Sequence, residues 1–107
     1  MTGSIDRYDH LLRELVEERV TALSRIARHL EQRIAALKDT RAALGDAGAA
    51  RDDVDRERRV ALLQRYRDLR LEALRYRWYL DVQREAMGLR PHETVDEYYR
   101  VPGPLDT

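Results

Sequence analysis

The fold is decided by residues 62–87, LLQRYRDLRLEALRYRWYLDVQREAM. Residues suited to burial recur there at alternating steps of four and three, which is the heptad pattern of a helix that packs against another helix. This seam comprises Leu62, Tyr66, Leu69, Ala73, Tyr76, Leu80, Gln83 and Met87. Asp52 and Asp53 are good N-caps and Gly88 is a good C-terminal stop, so we predict a helix over residues 54–87.

A second heptad seam precedes the first along the chain. No glycine or proline lies between Ser4, a suitable N-cap, and Gly45, so we predict a helix over residues 5–44. Its seam is broken only at Arg41 and comprises Val16, Val20, Leu23, Ala27, Leu30, Ile34, Leu37 and Leu44. Residues 45–53, GDAGAARDD, form the loop. Two long helices joined by a short loop predict an all-α fold, an antiparallel αα-hairpin over residues 1–88.

The tail, residues 89–107, contains prolines and cannot continue the second helix. Thr94 and Glu97 fit a capping box, which predicts a short helix over residues 94–99, with extended chain around it. The tail is one candidate cover for the side chain of Trp78, through Leu89, Val95, Tyr98 and Tyr99. A second copy of the chain is the other candidate.

Composition limits what the chain can do alone. With 107 residues, 37% of them charged, there is little material for a core, so we expect a homo-oligomer in which two hairpins form a four-helix bundle. A net charge of zero argues against bulk attraction to polyanions. The apolar runs are too short for a membrane span and MTGSIDRYDH lacks the features of a signal peptide, so we expect a cytoplasmic location. The 19 arginines against one lysine suggest a GC-rich, bacterial genome.

Apolar residues outside the seams indicate a second apolar surface. Leu71, Leu74, Trp78 and Val82 fall on the b, c and f positions of the second helix, and Ile5, Tyr8, Leu11, Leu12 and Leu15 lie outside the first seam. If residue i faces roughly residue 97 minus i, these two ends meet in an aromatic base. In this register Glu17 and Glu31 lie near Arg70, Arg77 and Arg84, and Arg19 lies over Tyr79.

We therefore expect a non-enzymatic interaction or adaptor protein that self-associates and docks a protein partner through its aromatic base and tail. Tryptophan, tyrosine and arginine dominate interface energetics. The residues assigned to this surface are Leu71, Leu74, Arg75, Trp78, Tyr79, Val82, Tyr98, Tyr99 and Arg100. An equally weighted interpretation is that the cluster is only the self-association core.

Nucleic-acid binding is an alternative because arginine is concentrated on the second helix. Between Arg56 and Arg77 there are eight arginines against three acidic residues. A basic stripe with interleaved tyrosines can follow a phosphate backbone. The residues assigned to this alternative are Arg56, Arg59, Arg67, Arg70 and Arg77.

An arginine-lined anion site is the third interpretation. Residues 53–68, DVDRERRVALLQRYRD, resemble the Asp-x-Asp-Arg-Glu-Arg stretch of the small all-helical chorismate mutases. The resemblance implies that Arg56 and Glu57 face a dicarboxylate substrate, assisted by Arg19 or Arg25. The lysine that this family carries beyond its helix-one arginine is absent here, and the connection is longer.

Other chemistry has little support in the sequence. There is no cysteine, no Gly-x-Ser-x-Gly nucleophile motif and no glycine-rich phosphate loop. Asp6, His10 and Glu14 share a helix face at ligand spacing, but a salt-bridging surface explains them better. We expect no cofactor and no metal.

Overall fold

The computed structural model describes residues 3–47, 51–89 and 93–105, and the side chains of residues 3–5 and 93–94 lie outside that description. Helix α1 runs over Gly3–Ala47, helix α2 over Asp53–Ala86 and helix α3 over Glu93–Tyr98. The long helices pack antiparallel, and no strand occurs within the described ranges. The predicted all-α hairpin with a short third helix is therefore confirmed. The side chain of Thr94, the predicted cap of α3, is outside the described residues.

Both ends of α2 are fixed by local hydrogen bonds. At the start, the Asp52 carboxylate accepts a bond of 2.8 Å from the backbone N–H of Asp55, which satisfies one of the free amides of the first turn. At the end, the N–H of Leu89 reaches the carbonyl of Arg84 at 2.9 Å, and Gly88 has a φ of 75°. This is a Schellman motif, in which the positive φ favours glycine at that position.

The core is a single layer of side chains between α1 and α2. The buried residues are Leu30, Ile34, Leu37, Thr40, Leu44, Tyr66, Ala73 and Leu80. All eight predicted seam positions of α2 are buried or half-buried, so the heptad prediction for this helix is confirmed. On α1, the core uses Thr40 in place of the exposed Arg41. The Thr40 hydroxyl donates 2.7 Å to the carbonyl of Ala36, which lets a polar residue occupy the seam.

The register of the two helices differs from the predicted one. The rings of His29 and Tyr76 stack with centroids 5.0 Å apart, and Arg33 Nε lies 3.3 Å from Glu72 Oε2. In both pairs the residue numbers add to 105, not to 97. The helices are therefore shifted by eight residues, so the start of α1 extends beyond the end of α2 instead of pairing with it.

This shift leaves part of α1 without a neighbour among the residues that the structure describes. Every residue from 6 to 21 is exposed, and we call this segment the α1 overhang. The ion pairs and the cation–π contact expected from the predicted register are accordingly replaced. Glu31 accepts a hydrogen bond from Tyr99, Arg77 pairs with Asp81 and Asp96, and Arg33 stands over the ring of Tyr76.

The tail lies back along its own hairpin. Residues 99–105, which we call the strap, follow α3 without helix or strand and run antiparallel to α2. The Arg70 Nε donates 3.1 Å to the carbonyl of Pro102, and the Tyr66 hydroxyl donates 2.7 Å to the carbonyl of Gly103. Tyr99, Val101 and Leu105 pack against the core. The strap therefore adds a third layer on one side of the hairpin and does not cover Trp78.

Candidate interaction surface

An apolar stripe runs along the face of α2 that points away from α1. It consists of Leu71, Leu74, Trp78 and Val82, and we call it the outer stripe. The spacing of three and four residues places these side chains on one face, opposite the seam formed by Tyr66, Ala73 and Leu80. Leu71 is 63% exposed and Trp78 is 61% exposed. A helix with apolar residues on both faces buries only one of them within a single hairpin.

A chain of rings connects α1 to the outer stripe. His29 stacks on Tyr76, whose ring meets that of Tyr79 edge-on at 6.0 Å, and Tyr79 meets Trp78 at 5.5 Å. The Arg33 guanidinium stands 4.8 Å from the centroid of Tyr76. Such contacts hold aromatic side chains in fixed orientations. Trp78 thus contacts Tyr79 on one side, although most of its indole is exposed to solvent.

The tail residues assigned to the surface separate in the structure. Tyr98 and Arg100 are exposed, whereas Tyr99 is half-buried and its hydroxyl donates 3.3 Å to Glu31 of α1. The rings of Tyr98 and Tyr99 meet edge-on at 4.9 Å. Of the assigned residues, α2 therefore brings Leu71, Leu74, Arg75, Trp78, Tyr79 and Val82 together, and Tyr99 serves the contact between tail and hairpin.

The Tyr99 phenol is electrostatically perturbed. Burial raises its pKa above the ordinary value, and the neighbouring Glu31 carboxylate raises it further. Both effects disfavour the phenolate. The neutral hydroxyl is therefore the form that ties the tail to α1.

The arginines assigned to an anion or nucleic-acid site are largely engaged within the chain. Arg56 pairs with Asp53 at 3.2 Å, and Arg70 donates to the strap carbonyl of Pro102. Arg77 pairs with Asp81 and Asp96 and also donates to the carbonyl of Val95. Arg59 and Arg67 are exposed and also take part in interactions within the chain. The five side chains are distributed along α2 and do not converge on one point.

The residues implied by the resemblance to chorismate mutases are not brought together within one chain. In the observed register, Arg56 lies level with the end of α1, which is roughly 35 Å along the axis from Arg25. Arg19 lies farther still, in the overhang. Glu57 is exposed beside Arg56.

A small cavity of about 260 Å³ lies between α2 and the strap. Its wall is mostly apolar, and Arg67 and Arg70 are its two charged lining residues. The lining residues are Leu63, Tyr66, Arg67, Arg70, Leu71, Pro104 and Leu105. The cavity exists because the strap crosses α2 at this level, and sequence analysis gave no indication of it.

The overhang is the second exposed apolar surface. Its apolar residues are Tyr8, Leu11, Leu12, Leu15, Val16 and Val20. Sequence analysis placed several of them in a base shared with α2, and the register shift separates them from it. The first helix was predicted over residues 5–44 and the second over residues 54–87, and this difference in length indicated that part of the first helix would extend beyond the second.

Two further arrangements concern metals and membranes. His10 Nε2 lies 3.0 Å from Glu14 Oε1, as a surface pair. Across the described ranges, no three His, Asp or Glu side chains come together as a set of metal ligands. None of the described helices combines the length and apolar character needed to cross a bilayer.

The outer stripe and the overhang are therefore the candidate interaction surfaces among the described residues. Comparisons with protein-family models, with curated proteins and with solved structures give no significant match to this chain.

Proposed function

We propose that the protein is a non-enzymatic helical interaction module that self-associates and docks a partner protein on the outer stripe of α2. The observation that carries the proposal is the exposure of Leu71, Leu74, Trp78 and Val82 on one face of an ordered helix. Contiguous apolar patches of this kind on a small protein mark binding surfaces. Trp78 is the central anchor, since a tryptophan with a fixed orientation loses little entropy on binding.

The chemistry of the stripe favours a particular kind of partner. A row of side chains at steps of three and four fits the apolar face of another amphipathic helix. Arg67 and Arg75, both exposed, flank the Leu71 end of the stripe. We therefore propose a partner helix that carries glutamate or aspartate beside its apolar face, because complementary charges select the partner and its orientation.

Calorimetric titration with two synthetic amphipathic helical peptides tests the proposal. Both peptides carry the same leucine stripe, flanked by glutamate in one and by lysine in the other. We expect the acidic peptide to bind more tightly, and Trp78→Asp to lose that binding. Val54→Asp is the matched control, because Val54 is 72% exposed at the start of α2 and away from the stripe.

Equal binding of the two peptides, or binding that survives Trp78→Asp, would contradict the proposal. A duplex DNA or single-stranded RNA ligand is titrated in parallel. Nucleic-acid binding that Arg67→Glu abolishes, without any binding of the acidic peptide, would replace the proposed function with the nucleic-acid alternative.

A further inference from the structure

The α1 overhang exposes an apolar stripe that none of the described residues covers. Each of its six large apolar side chains is between 43% and 62% exposed. A helical segment of about this length, with no tertiary packing, is only marginally stable in water. An extension of this kind is stabilised when another helix packs on its apolar face.

The neighbouring interface determines which way that helix has to run. The apolar face of the overhang continues the face of α1 that α2 covers farther along, at Leu23, Ile26 and Leu30. In the observed register α2 ends level with Arg19. A helix that covers the overhang therefore lies end to end with α2 on that face, and a copy of α1 that ran parallel to it would continue into the end of α2.

We propose that this helix is the overhang of a second copy of the chain. A two-fold axis near Leu12, midway between the start of α1 at Gly3 and Thr21, makes each copy cover the stripe of the other with a segment of equal length. Each hairpin then points away from the joint, and the apolar face is continuous along both copies. This inference rests on the self-association in the proposed function and assigns it to residues 8–20.

Charge favours the antiparallel arrangement. The second half of the overhang carries Glu14, Glu17 and Glu18 against Arg19, whereas Arg7 and Arg13 balance Asp6 and Asp9 in its first half. An antiparallel pair places the negative half of one copy beside the balanced half of the other and brings Glu17 level with Arg7 of the other copy. A parallel pair would place the three glutamates of one chain beside the same three glutamates of the other, and like charges at a helix interface are destabilising.

The oligomeric state of the full chain in solution tests the location. We expect sedimentation equilibrium to give twice the mass of one chain. Leu12→Glu with Leu15→Glu is expected to raise the dimer dissociation constant at least about a thousand-fold, because each dimer would bury four carboxylates in place of four leucines. Leu71→Glu with Leu74→Glu, on the outer stripe, is the matched control and is expected to leave the dimer intact.

Crosslinking tests the orientation. The chain has no cysteine, so a single introduced thiol reports only on its own copy across the joint. Leu12→Cys lies near the centre of the overhang and is expected to crosslink with a short bismaleimide. Val20→Cys lies on the same stripe near its end, about 25 Å from its counterpart in the antiparallel pair, and is expected not to crosslink.

Each of the other outcomes contradicts a particular part of the proposal. A full chain of monomer mass refutes self-association as a whole. A dimer that survives the overhang substitutions but is lost in the outer-stripe variant refutes this inference and leaves self-association standing. Equal crosslinking at both positions refutes the antiparallel arrangement.

Discussion

Removing one hydroxyl group tests whether the strap is held by the hydrogen bond at Tyr66. Tyr66 is 1% exposed, and its hydroxyl donates 2.7 Å to the carbonyl of Gly103. Tyr66→Phe keeps the ring in the core and removes only this bond. Because Gly103 is exposed, water can replace the lost donor, so the cost is that of one net hydrogen bond, about 1 kcal/mol. For a domain of this size that lowers the Tm by about 4 °C.

Thermal and urea denaturation followed by far-UV circular dichroism measure the effect. All variants are compared at one protein concentration, since the proposed self-association would make the Tm concentration-dependent. Tyr98→Phe is the control, because Tyr98 is exposed and is expected to change the stability by less than about 0.5 kcal/mol.

A chain that ends at Arg100 completes a double-mutant cycle, because it lacks Gly103. In that background Tyr66→Phe is expected to cost almost nothing, so the coupling energy between the hydroxyl and the strap is about 1 kcal/mol. The same loss in both backgrounds would show that the hydroxyl stabilises the hairpin without the strap. No loss of stability in the full chain would show that the hydrogen bond makes no net contribution to the free energy of unfolding.

Two further predictions concern the core and the tail. Leu37→Ala removes a fully buried side chain and is expected to cost about 3 kcal/mol in urea denaturation, against less than about 1 kcal/mol for the exposed Leu71→Ala; equal costs would contradict the core position. Because the folded state raises the pKa of Tyr99, its contribution to stability is present below the ordinary value of 10.0 and is lost as pH rises through the raised pKa. Tyr99→Phe is expected to reduce the alkaline loss of stability, and an unchanged loss would contradict this assignment.

The features of the fold that could be predicted from the sequence depend on residues that are close together in the chain. The spacing of Tyr66, Ala73 and Leu80 specifies which side of α2 is buried, whatever packs against it. Asp52 and Gly88 likewise act within a few residues of their own position. Helix periodicity and capping depend on the chain near each residue, so a single sequence is sufficient to infer them.

The register was not predictable from the seams. A heptad pattern repeats every seven residues, so sliding one helix past the other by about that distance keeps apolar residues opposite apolar residues. The observed register instead brings particular side chains together, His29 with Tyr76 and Arg33 with Glu72, and a heptad pattern does not identify such pairs. The prediction of a shared aromatic base was wrong for this reason, and the overhang was missed with it.

Polar contacts account for the remaining differences. Thr40 is buried in the seam because the carbonyl of Ala36 accepts its hydroxyl, whereas a pattern of apolar residues passes over a threonine. The strap is held by Tyr66 and Arg70, which donate to backbone carbonyls. Every residue has a carbonyl, so the sequence does not identify which one accepts such a bond.

The aromatic chain that ends at Trp78 has a practical consequence for spectroscopy. The protein has one tryptophan, so its indole emission comes from a single position in contact with the ring of Tyr79. A ligand that covers the outer stripe removes water from this indole and shifts its fluorescence to shorter wavelength. The proposed pairing of two overhangs would take place elsewhere and would leave the emission wavelength unchanged. The unmodified molecule therefore carries an optical label that distinguishes docking of a partner from dimerisation.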